Sequence, residues 1–466
     1  MFKKLTLAAA SLLPLGAQAT GFDPADMSLL WGLPFACILL SIALFPLFAP
    51  KMWHHSFGKI TAAWTLLFLI PFTIVYGAGE AVHTVAHAII AEYIPFILLL
   101  WALFTVSGGI LVKGNIHGSA KTNTIILALG TVLASLMGTT GAAMLLIRPL
   151  LRANDNRKHQ VHVVVFFIFL VANIGGGLTP LGDPPLFLGF LKGVDFMWTV
   201  EHMALPVFIS SVILLVVFYA LDSHYWRKET ERKRIDPTPD SKISISGKLN
   251  FVWLLGIIAA VLMSGIWKSG VEFDILGTPV TLQNIVRDVL FIIIGILSLK
   301  TTAQEIRKAN DFDWGPILEV GKLFLGIFIT IAPVLAMLKV GMDGHFAPLV
   351  SLAHNAQGEP INAGYFWMSG MLSAFLDNAP TYLVFFNLAS GDAVELMSHM
   401  SSTLLAVSMG SVFMGALSYI GNAPNFMVKA IAEQNRVKMP SFFGYMAWSF
   451  AILVPLFIIH TLIFFI

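Results

Sequence analysis

Ten apolar runs, each near the length that crosses a bilayer, constrain this chain more than any other feature. They lie near 29–49, 60–76, 94–112, 159–192, 204–221, 250–267, 284–299, 314–338, 402–428 and 442–466. A helix needs about 20 apolar residues to span the hydrocarbon layer. Two more apolar runs, 123–150 and 363–389, carry polar interruptions near their middles. Charged residues make up 12% of the chain, against about 25% in soluble domains. So few charges cannot cover the surface of a soluble fold of 466 residues. A net charge of +2 and 57% hydrophobic residues exclude a disordered chain and a nucleic-acid-binding one. The runs are too long for barrel strands of roughly ten alternating residues. The sequence therefore predicts an all-α polytopic membrane protein. Its one cysteine, Cys37, allows neither an internal disulfide nor a cysteine metal cluster.

Residues 1–19 read as a signal peptide: Lys3 and Lys4, an apolar stretch Leu5–Leu15, then Ala17-Gln18-Ala19. Orientation follows from the basic residues. With the mature N-terminus outside, ten crossings, and the two interrupted runs entering and leaving on one side, 21 Lys and Arg fall in cytoplasmic segments. Four fall outside: Lys192, Lys268, Arg287 and Lys339. The bias matches the positive-inside rule and makes the hydrophilic stretch 222–250 a cytoplasmic linker. The expected location is the inner membrane of a bacterium.

The chain also repeats itself. At an offset of 239 residues, Leu133–Thr140 falls on Leu372–Ala379, and Gly176–Pro185 falls on Gly415–Pro424. Each half (20–221 and 251–466) then holds five crossings and one interrupted run. Five is odd, so the halves are inverted relative to one another, a transporter signature. The interruptions read as two re-entrant hairpins, 123–150 and 363–389. Their tips fall at Gly138-Thr139-Thr140-Gly141 and Asp377-Asn378-Ala379-Pro380. The partner segments are broken helices, at Gly182-Asp183-Pro184-Pro185 and Gly421-Asn422-Ala423-Pro424. Proline and glycine weaken a helix at such points. The freed backbone is tolerated only inside protein or against a cavity. Half-helix ends then offer dipoles to an ion.

Asp183 and Asp377 are the only carboxylates in these four segments. A charge at mid-membrane costs at least about 2.5 kcal/mol and is a functional candidate by default. Neutral oxygens stand nearby on Thr139, Thr140, Thr179, Thr381, Ser418, Asn378, Asn422 and Asn425. This mix suits a hard cation such as Na⁺, and a carboxylate can hold a cation or a proton in turn. A helix-capping role is the simpler alternative for either Asp. Weaker features are Arg148, read as snorkelling, and Glu319 with Lys322, read as a helical pair. His83 and His87 at i, i+4 read as an external amphipathic face sooner than a metal site. His162 and His460 read as interface or packing residues. No P-loop, nucleophile elbow or zincin motif is present, so neither an enzyme nor a cofactor is expected.

These segments carry a family resemblance. Ser135–Met144, Asn173–Pro185, Ser373–Thr381 and Gly421–Asn425 resemble the ion-transporter superfamily. Its members include NhaD-type sodium/proton antiporters, citrate–metal–proton symporters, arsenite permeases and divalent-anion/sodium symporters. The resemblance covers most of the chain beyond about residue 95. It implies an elevator-like movement of a hairpin domain against a scaffold, often in a homodimer. Gly182-Asp183 and Asp377-Asn378 look like the NhaD-type pattern. The Gly-Asn-Ala-Pro-Asn break also looks like the carboxylate carriers' Gly-Thr-Pro-Pro-Asn, but their Ser-Asn-Thr tips are not reproduced. The leading expectation is sodium/proton antiport, with Na⁺ at Asp183, Asp377 and Asn378. The alternative is sodium- or proton-coupled uptake of citrate or a related carboxylate. A remote one is an intramembrane aspartyl protease, whose signatures fail at Pro180–Asp183 and Leu376-Asp377.

Overall fold

The computed structural model describes residues 24–114, 116–229 and 241–466. The signal segment 1–19 and the middle of the basic linker lie outside the described residues. The protein is an all-α polytopic membrane protein. The first half holds α1 (Leu33–Phe48), α2 (Pro50–Tyr76), α3 (Ala78–His87), α4 (Ile94–Ser107), α5 (Ala120–Met137), α6 (Thr139–Ala153), α7 (Val161–Leu170), α8 (Pro184–Leu191) and α9 (Phe196–Lys228). The second holds α10 (Leu249–Ile266), α11 (Leu282–Thr301), α12 (Gln304–Ala309), α13 (Gly315–Lys339), α14 (Ala347–Ala353), α15 (Asn362–Phe375), α16 (Asn378–Ala389), α17 (Ala393–Met397), α18 (Ser401–Phe413), α19 (Ala423–Gln434) and α20 (Phe442–Phe464).

Ten helical stretches among the described residues are long and apolar enough to cross a membrane. Nine coincide with runs expected to cross; the tenth by length is α5, the first arm of the expected hairpin. The run 402–428 does not qualify, because α18 with the 3-10 turn that follows it ends at Leu417, short of a span, and an extended stretch separates it from α19. Length alone does not tell a crossing helix from a hairpin arm, whereas hydrogen bonds show which helix ends meet. Gly118 N donates to Ala153 O at 2.6 Å. The amides of Asn123 and Asn154 exchange two bonds of 2.9 Å. Both ends of the α5–α6 pair therefore meet at one end of the molecule, as a hairpin requires. In the second pair, Tyr365 near the start of α15 donates to Leu388 O near the end of α16, at 3.4 Å.

The basic segments gather at one end. Leu111–Lys113 (β1) pairs antiparallel with Ser244–Ser246 (β2). Arg148 Nε lies 3.2 Å from Asp311 Oδ2, so Arg148 is ion-paired where snorkelling was expected. Arg307 donates to Thr105 O at 2.8 Å. At the other end Glu272–Ile275 (β3) and Thr278–Thr281 (β4) form a ribbon, and His83 Nε2 lies 3.3 Å from Gly277 O. Glu319 and Lys322 do not pair as expected. The Lys322 ammonium sits 5.4 Å over the Phe57 ring.

At the centre α7 is buried along almost its whole length, from His162 to Leu170. Outward faces are apolar instead, as at Leu66, Leu67, Ile70 and Ile74 of α2. In lipid such burial gives little association energy, because tails are as apolar as the core. Close packing and interhelical hydrogen bonds hold the helices, each bond contributing about 0.6 kcal/mol on average.

Candidate functional site

The two hairpin tips and the two breaks meet at Asp183. Its carboxylate, 2% exposed, accepts three side-chain hydrogen bonds. Thr139 Oγ1 donates to Oδ1 at 3.1 Å, Asn422 Nδ2 to Oδ1 at 3.0 Å, and Asn378 Nδ2 to Oδ2 at 2.6 Å. At the offset of 239, Asp183 corresponds to Asn422 and Thr139 to Asn378. A residue that bonds its own repeat mate marks the axis relating the halves.

The same symmetry orders the surrounding backbone. Thr179 Oγ1 donates to Ser135 O at 2.6 Å, and its mate Ser418 donates to Ala374 O. Those hydroxyls also accept from Leu181 N at 3.2 Å and Ile420 N at 3.1 Å. Thr179 and Ser418 thus pin each break to a hairpin arm and do not face Asp183. Asn425 and Asn173 form a second tier. Asn173 Nδ2 donates to Asn425 Oδ1 at 2.7 Å, and Asn425 Nδ2 to Gly415 O and Ser418 O at 2.9 Å each. Asn173, which no role was expected of, sits beside Asn422 Nδ2 at 3.4 Å.

The helix starts follow from local sequence. Gly138 takes φ 78°, which side chains rarely adopt, and ends α5. Pro184 and Pro185 open α8 and Pro424 lies in the first turn of α19, where a missing N–H costs nothing. The prolines therefore start helices and do not distort their interiors. Asp377, the mate of Gly138, caps α16: its Oδ1 accepts from Ala379 N at 3.0 Å. Thr381 bonds back to Asp377 O at 2.9 Å. Thr140 is half-buried in the first turn of α6 and is not among the groups bonded to Asp183. Asp183 holds the cap position of α8 without capping it. The capping alternative thus describes Asp377 and fails for Asp183.

Four helices, α6, α8, α16 and α19, begin at this point. Of these, α6, α8 and α19 have no side-chain cap. Pro184, Pro185 and Pro424 carry no N–H, Leu186 N and Asn425 N turn back to Asp183 O and Asn422 O, and Thr139 N donates to Gly182 O, which leaves the amides of Thr140, Gly141 and Ala423 as the first-turn donors open to an occupant. Gly182 allows the convergence. A Cβ there would collide with the Gly176 carbonyl oxygen, and one on Gly421 would meet Gly415 in the same way. Since backbone cannot yield as a side chain does, Gly182→Ala is expected to cost about 1–3 kcal/mol. Its melting temperature in detergent should fall by a few degrees, while Gly79→Ala, with open space around it, should melt like wild type.

Residues 24–465 match the family described as "Putative citrate transport". The chain belongs to this family. It is also 23% identical over 323 residues to a "46 kDa membrane protein" of Mycobacterium leprae, covering 68% of this chain and 71% of that one. The family membership fits a transporter. Among the described residues no group of three or more His, Cys, Asp or Glu is placed to hold a metal.

Proposed function

We propose that the chain carries citrate or a related carboxylate across the membrane, coupled to Na⁺ or H⁺. In this reading the basic linker faces the cytoplasm, as its Lys and Arg favour. The observation that carries this reading is the meeting of four helix N-termini around one carboxylate. Each such end acts as about half a positive charge, so four supply close to +2. Asp183 and Asp377 offset that, leaving the site near neutral. A carboxylate entering at the remaining donors, the amides of Thr140 and Gly141 on α6 and of Ala423 on α19, then needs a cation with it, and the two aspartates are where that cation or proton would sit. Net balance of this kind couples the two movements.

One observation favours sodium/proton exchange as a second reading. The centre already contains a carboxylate of its own, which could hold Na⁺ or H⁺ with no substrate anion. Proteoliposomes separate the two. Labelled citrate should accumulate when an inward Na⁺ or H⁺ gradient is imposed and stop when the gradient is dissipated. Sodium-induced proton movement in citrate-free vesicles, with no citrate uptake, would replace the first reading by the second.

A further inference from the structure

At the end of the molecule opposite the basic linker lies a cavity of about 420 Å³, within the usual range for ligand pockets of about 300–1,000 Å³. Its wall includes His87, Glu92, Lys192, Lys339 and Asn387. Two of the helices that begin at Asp183 end here. Lys192 follows α8 directly, and Asn387 lies nine residues beyond Asn378 on α16. At 1.5 Å per residue both paths are about 12–14 Å long. The cavity floor is thus about half a membrane core from the central carboxylate.

The charges in it are unequal. Glu92 is buried and bonded by Lys192. Lys339 is exposed and makes no ion pair among the described residues. One cation is therefore left over. Glu92 rides on a π-helical turn, Ala88–Tyr93, between α3 and α4; such turns occur often at functional sites. Lys192 and Lys339 each end a helix and would favour its dipole wherever they stood. That role does not require them to face one cavity directly above the site.

We propose that this cavity is a carboxylate-gathering vestibule, in which Lys339 and Lys192 hold the substrate anion before it passes to the Asp183 centre. The inference rests on the carboxylate reading and names where that anion is first held.

The test uses the full chain with Cys37→Ala and one reporter cysteine, Ala336→Cys, on the cavity wall. Ala332→Cys, which lines the same cavity, serves if the first variant folds poorly. Rates of modification by a sulfonate-bearing and a trimethylammonium-bearing methanethiosulfonate are compared, each corrected for its rate with a free thiol. The anionic reagent should react about tenfold faster, as a focused positive field implies. Lys339→Gln should bring the ratio near one, and Lys339→Arg should keep it. Millimolar citrate should slow labelling, but not in Lys339→Gln. Equal reagent rates, or labelling indifferent to citrate, would overturn the vestibule. Citrate protection in a protein that carries no citrate sinks the transport reading and leaves the vestibule standing. Citrate transport with no protection sinks the vestibule alone.

Discussion

Asp183→Asn is expected to reach the membrane, fold and lose coupled transport by roughly a hundredfold. The size follows from the interactions removed. A hydrogen bond to a charged group contributes about 1.5–3 kcal/mol, and 1.36 kcal/mol is tenfold in rate. Asp183 accepts three such bonds. The amide still accepts at one oxygen, and the Asn378 side chain can turn its own oxygen toward the new NH₂, so packing survives. What vanishes is the negative charge that offsets four helix ends. Asp377→Asn also removes one negative charge, but it keeps the cap at Ala379 N, since an asparagine caps a helix about as well as an aspartate; its loss should be smaller than that of Asp183→Asn, whose carboxylate also holds Thr139, Asn378 and Asn422. Initial rates of citrate uptake under an imposed gradient, per milligram of folded protein, measure both. A wild-type rate from Asp183→Asn would remove this carboxylate from the mechanism, whichever substrate is carried.

How much of this centre was legible in the sequence depends on the range of the signal. The positions of tips and breaks were legible because glycine and proline act locally: Gly138, Pro184 and Pro424 stand where α5 ends and where α8 and α19 begin. The offset of 239 then paired segments that no local rule connects. The division of labour between the two aspartates was not legible. Both precede a helix, yet one caps its own N–H groups and the other turns to Thr139, Asn378 and Asn422, which come from three other segments. Thr179 and Ser418 looked like cation oxygens by type, but their hydroxyls are spent on Ser135 O and Ala374 O. Residue type shows what a group can bind; only the fold shows what it already binds. The same limit hid His162. It read as a packing residue, because its partner Asp222 stands 60 residues away.

That partner supports the second large effect. Asp222→Ala should destabilise the protein by about 3–5 kcal/mol, the usual cost of removing one member of a buried ion pair. Arg157 Nη2 lies 2.6 Å from Asp222 Oδ1, and neither side chain is exposed. His162 Nε2 is 2.8 Å from the same oxygen, and Asn123 Nδ2 donates to Oδ2 at 2.9 Å. Glu229, 3.3 Å from Arg157 Nε, remains after the substitution and holds the loss toward the lower bound. The cluster joins the base of the α5–α6 hairpin to α7 and to the last turns of α9. Its loss frees the hairpin at the end far from its tip. Melting in detergent should therefore drop clearly, and amide exchange around Asn123 should quicken. Asp222→Leu combined with Arg157→Met should melt above Asp222→Ala alone, since no buried charge is left unpaired. If Asp222→Ala melts like wild type, the cluster contributes nothing to stability. The two aspartates are thus expected to separate cleanly. Asp183→Asn lowers uptake per folded molecule and leaves melting near wild type. Asp222→Ala lowers melting and leaves uptake per folded molecule close to wild type, because its carboxylate lies at the hairpin base and never meets the substrate.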